Sequence, residues 1–113
     1  MSPGFYQFKK NRKDSALYAK FVLALADEGI NYYSTVYNFQ TREQMTEITV
    51  GERDKDRSLK LYQSTKWQVP PISSLSALRD RLHTAYEENE FGSIYAQDVL
   101  EWAMKLIDGV PAE

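Results

Sequence analysis

The chain has 113 residues, 42% hydrophobic and 27% charged, with a formal net charge of −2 at pH 7 and no cysteine. That length suits one domain, 1–113, around one core, and that balance is ordinary for a folded globular protein rather than a disordered one. The missing cysteine excludes a disulfide framework, a thiolate nucleophile and cysteine-rich zinc sites, and it fits a reducing, cytoplasmic setting.

The opening MSPGFYQFKKNRK sets its aromatics ahead of its basic residues without a continuous apolar stretch, so it does not read as a secretory signal. No apolar run is long enough to span a bilayer, which argues against a membrane partner. Charge is uneven: residues 1–66 hold eleven Lys/Arg against eight Asp/Glu, a net of +3, and residues 67–113 hold three against eight, a net of −5. An asymmetry of that size is a modest field at opposite ends of the chain.

In chain order, Phe5, Tyr6 and Phe8 are read as a short N-terminal edge strand, or as an arm (1–13) whose rings dock on the core. The first helix is expected to start at an Asp14 or Ser15 cap, to run through Ala16 and Ala26, and to stop at Gly29. Leu17, Phe21 and Leu25 form one stripe and Tyr18, Val22 and Ala26 its neighbour, so this helix needs covering on more than one side, by the fold or by a second copy of the chain.

The stretch INYYSTVYNF (30–39) reads as the central strand. Alternation groups Tyr33, Thr35, Tyr37 and Phe39 on a core face and Tyr32, Ser34, Val36 and Asn38 on an outer one. A second strand, 44–50, sets Thr46, Ile48 and Val50 against Met45, Glu47 and Thr49. A third, 58–63, sets Leu59 and Leu61 against Lys60 and Tyr62, with GERDKDR (51–57) as the turn between. An antiparallel meander is the economical topology. After Pro70 and Pro71, a helix opens at Ser73 or Ser74 and carries Leu75, Leu78, Leu82 and Tyr86. A last helix, capped by Ser93, shows Ala96, Val99, Leu100, Ala103, Leu106 and Ile107 on one broad face with Trp102 at its margin, and closes at Gly109 and Pro111. The tight connection makes these two an αα-hairpin. The expected class is α+β.

Chemistry-bearing candidates are few. His83, the only histidine, has Arg79 and Glu87 four residues to either side, a pairing that suits a base but is equally common on an exposed helix flank. Glu87, Glu88 and Glu90 form an acidic run; they lack the spacing and glycine of a calcium loop, as do Asp54 and Asp56. No glycine-rich phosphate loop, HExxH or GxSxG occurs. No cofactor and no metal are called for, and a non-enzymatic protein is expected.

Two kinds of partner remain. Lys9, Lys10, Arg12 and Lys13 beside Phe5, Tyr6 and Phe8 combine cations for phosphates with rings for bases, as a nucleic-acid contact would. The order helix, three strands, helix is also that of double-stranded RNA-binding domains, but those grip phosphates with lysines where this chain has SSLSALRD, and the sequence pI of about 5.4 is acidic. The favoured partner is another protein, met by Tyr32, Val36, Met45 and Tyr62 on the outer strand face or by Glu87, Glu88 and Glu90. Tyrosine and methionine give large contact areas at low ordering cost. An inhibitor or modulator, of the kind that phage anti-defence or immunity proteins represent, is the expected role, with self-association through the first helix or the tyrosine face as an accompaniment.

Overall fold

The structure, a computed structural model, describes residues 4–9, 11–38, 44–66 and 72–109, without the side chains of 36–38, 44, 45, 65, 66 and 72–74. It is an α+β fold. The order is β1 (Gly4–Lys9), α1 (Arg12–Asp27), β2 (Tyr32–Asn38), β3 (Gln44–Val50), α2 (Lys55–Lys66), α3 (Ile72–Glu87) and α4 (Ile94–Asp108), with a turn of 3-10 helix at Glu52–Asp54 leading into α2.

The three strands form one antiparallel sheet in the order β1-β3-β2. The N-terminal edge strand exists, and β3 rather than β2 is central. Tyr6, Ile48 and Ser34 face one another across the sheet, and so do Phe5, Thr49 and Tyr33 on the opposite face. Both outer strands run antiparallel to β3, so β1 and β2 are parallel with β3 inserted between them.

The expected third strand, 58–63, is helical. Its apparent alternation covers too few residues to outweigh the spacing Ser58, Leu61, Tyr62, which is i, i+3, i+4. Ser58 is fully buried and Leu61 and Tyr62 pack on the core, while Leu59 faces water. The Ser58 hydroxyl donates to the Lys55 carbonyl at 2.8 Å and so accepts from the Tyr6 hydroxyl at 2.8 Å, tying α2 to β1. GERDKDR accordingly makes the 3-10 turn and the first turn of α2, not a hairpin loop.

Helix α1 starts earlier than the Asp14 or Ser15 cap. Asn11 is the cap, its side-chain oxygen accepting the Asp14 amide at 2.8 Å, and the Asp14 carboxylate accepts the Lys9 amide at 2.7 Å, welding the end of β1 to the helix. Its far end is a Schellman turn: Gly29 N–H donates to Ala26 and Ile30 N–H to Leu25, with Gly29 at φ +69°. Burial runs nearly all round α1, because the sheet, α2, α3 and α4 all pack on it. The cover expected for it therefore comes from its own chain.

That turn sets the parity of β2. Ile30 is buried, so Tyr32 and Ser34 point the same way, toward the core, and Tyr33 points out. The faces of Tyr32–Thr35 are thus the reverse of the expectation, and Phe39 lies outside the described residues. Both sets mix rings and hydroxyls, so apolarity does not separate them. The inward tyrosine hydroxyls are satisfied: Tyr18 donates to Ser34 at 2.8 Å and Tyr32 to the Val22 carbonyl at 3.4 Å. Helix α4 covers the same side, with Trp102 Nε1 donating to Thr46 Oγ1 at 3.1 Å. Phe8, Tyr18, Phe21, Tyr6 and Tyr62 interlock largely edge to face in the centre.

Candidate functional site

At the end of the sheet where β2 begins and β3 leaves, four segments surround a cleft of about 810 Å³. The Schellman turn and start of β2 give Ile30, Asn31, Tyr32 and Tyr33. Thr49 and Gly51 come from the end of β3, and Arg53 and Asp54 from the 3-10 turn. The α3–α4 connection and first turn of α4 supply Phe91, Ser93 and Tyr95.

Each segment is held by local chemistry. α3 ends as α1 does, with Asn89 at φ +49°, its amide on Tyr86 and the Glu90 amide on Ala85. Asparagine tolerates that left-handed backbone better than most residues. Ser93 then caps α4, accepting the Ala96 amide at 3.5 Å, and Gln97 Nε2 donates to the Tyr86 carbonyl at 2.9 Å, fixing the connection that carries Phe91. Arg57 braces the opposite wall: it meets Asp54 at 3.4 Å, the Glu28 carboxylate at 3.1 Å and the Glu28 carbonyl at 3.0 Å. Arg53 has no ion-pair partner among the described residues.

The cleft is therefore a ring-lined hollow with one spare guanidinium. Burial pushes the Tyr32 hydroxyl up to about 12, further from any proton exchange near neutral pH. Exposed apolar side chains stand at its mouth: Tyr33 is 55% exposed, Tyr95 74% and Ile94, just outside the lining, 81%. Such a combination can hold a partner group by contact area and charge.

The residues expected to meet a partner do not come together. Tyr32 is half-buried on the covered face. Tyr62 stands on α2 with its ring 4.8 Å from that of Tyr6. Register pairs Val36 with Thr46 and Met45 with Tyr37, and the side chains of Val36 and Met45 lie outside those described. Glu90 is held by Arg81 at 2.7 Å and Glu87 lies 3.4 Å from His83, while Glu88 is exposed beside them. Of the basic segment, Lys9 and Lys13 are exposed, Arg12 is half-buried, and Lys10 lies outside the described residues.

Arg53, Phe91, Ile94 and Tyr95 were not expected. Ile94 carried a signal: it shares the face of α4 that bears Asp98, Glu101 and Lys105, where a large apolar side chain is out of place. Among the described residues no group of three or more His, Asp or Glu side chains could hold a metal ion, and no helix is long and apolar enough to cross a membrane.

Comparison with known proteins finds no match to this chain: no family model, no curated protein and no solved structure resembles it.

Proposed function

We propose that this is a non-enzymatic, cytoplasmic protein-binding module that inhibits or modulates a partner protein, and that its contact surface is the mouth of the cleft rather than the face first expected. The observation that carries this reading is the exposure of Tyr33 and Tyr95 in the lining of a concave, ring-lined site, with Ile94 exposed next to Tyr95 in the chain. Large apolar side chains clustered around a hollow are costly to leave in water and are what interface centres use. The test is affinity capture from the native host lysate with the wild-type chain and with Ile94→Asp combined with Tyr95→Ala. A protein retained by the first and reduced about tenfold or more by the second is expected for a hot spot. Equal retention by both would remove the surface from consideration.

A second reading rests on two exposed rings on the sheet face opposite Tyr6 and Ile48. Phe5, 54% exposed, and Tyr33 flank Thr49, and Lys9 projects from the same face of β1. Two rings about 10 Å apart, twice the strand spacing, beside a lysine could stack bases of a single-stranded nucleic acid. The net charge of −2 weighs against it. Binding of a single-stranded oligonucleotide that falls steeply with salt and disappears in Phe5→Ala with Lys9→Ala would put this reading first.

A further inference from the structure

The cleft holds about 810 Å³, room for a side chain and its flanking backbone. Tyr33, Phe91 and Tyr95 line it, and aromatic rings pair favourably with one another edge to face or offset-stacked. Its charges are not equivalent. Asp54 is already engaged by Arg57, whereas Arg53 has no ion-pair partner among the described residues. An incoming carboxylate therefore meets a guanidinium with its fork of donors unspent, and an incoming ammonium meets a carboxylate that is in use. Apolar exposure also continues past the cleft to Ile94. A free small molecule filling the hollow would leave that side chain in water, and a polypeptide running across the rim would cover it.

We infer that the cleft receives an aromatic residue of a partner polypeptide that has a carboxylate beside it in sequence, the ring among Tyr33, Phe91 and Tyr95 and the carboxylate on Arg53. This rests on the protein-binding reading and names the chemistry of its anchor.

The test is an amide-shift titration of the isotope-labelled full chain with the end-blocked peptides Ser-Phe-Asp-Ser, Ser-Phe-Lys-Ser and Ser-Ala-Asp-Ser, and with free 3-phenylpropanoate. Saturable shifts at Gly29, Gly51 and Ser93 are expected with the first peptide. Binding about tenfold or more weaker is expected with the other two and for Arg53→Glu, the loss of one charge-assisted contact or of the ring. Arg53 is exposed, so amide shifts away from the cleft should be unchanged in that variant and report an intact fold. Equal affinity for the lysine peptide, no saturable shifts, or indifference to Arg53→Glu overturns the inference. So does 3-phenylpropanoate binding as tightly as the first peptide, which would give the cleft to a free aromatic acid. If a captured partner depends on Ile94 and Tyr95 while the peptides fail, only this inference falls; if neither binds, the protein-binding reading falls with it.

Discussion

The tyrosines described do different jobs that one letter cannot distinguish. Tyr18 is fully buried and Tyr32 half-buried, each with its hydroxyl on an internal acceptor, while Tyr33 and Tyr95 stand in water. Burial raises the proton affinity of both inward hydroxyls, to about 12 for Tyr32. The folded chain thus keeps protons that the unfolded chain releases from about pH 10 upward. Stability is intact below that pH and declines as pH rises through the folded-state value, since proton release then favours the unfolded form. Tyr32→Phe should show a shallower alkaline decline in urea unfolding followed by fluorescence; a decline parallel to wild type would mean another group titrates. The same indistinguishability is why the faces of β2 were misread. Counting rings favoured Tyr33, Tyr37 and Phe39, whereas the position after Gly29 already pointed to Ile30 as the inward residue and hence, by period two, to Tyr32 and Ser34.

Among the elements, those with long periodic patterns were legible and those with short ones were not. α1, α3, α4 and the 44–50 strand follow the sequence pattern closely, and both glycine-terminated ends were visible in outline. Residues 58–63 were lost because five or six residues of alternation also fit a helix with one exposed leucine. The Asn11 cap was hidden by Arg12 and Lys13, since basic residues are unfavourable at a helix start and made a later beginning look better. The C-terminal turn of α1 gives a clean test. A Cβ at Gly29 would meet nothing within 4 Å, so the cost of Gly29→Ala comes from φ +69° alone. Loss of about 1 kcal/mol is expected from chemical denaturation, and Gly29→Asn should recover part of it. A much larger loss in the alanine variant would indicate a disturbance of the cleft wall beyond the backbone term.

For the whole molecule, the acidic C-terminal half is less of an electrostatic feature than its −5 suggests. Arg79 holds Asp108 at 2.7 Å and Arg81 holds Glu90 at 2.7 Å, so every arginine of that half is spent on fastening its own helices and their connection. The Asp108 carboxyl is held below its ordinary value by the hydrogen bond from Arg79. Its contribution is therefore present above the unfolded-state pKa of about 3.9 and is lost as pH falls through the lower folded-state value. The pair is exposed, so Asp108→Asn should cost no more than about 1 kcal/mol at neutral pH, less in high salt and nothing at a pH below both values. A salt-independent loss would show that something other than the screened charge pair makes the tie.

The sheet order carries a consequence for how the chain comes into being. β1 is made first, but its strand partner among the described residues, β3, follows α1 and β2, and β2 and β3 can join as a local hairpin without waiting for anything else. During synthesis the rings of Tyr6 and Phe8 have Phe21 and Tyr18 of α1 to pack on from the start, so it is the backbone of β1 that waits, and its pairing with β3 is the non-local event that closes the sheet.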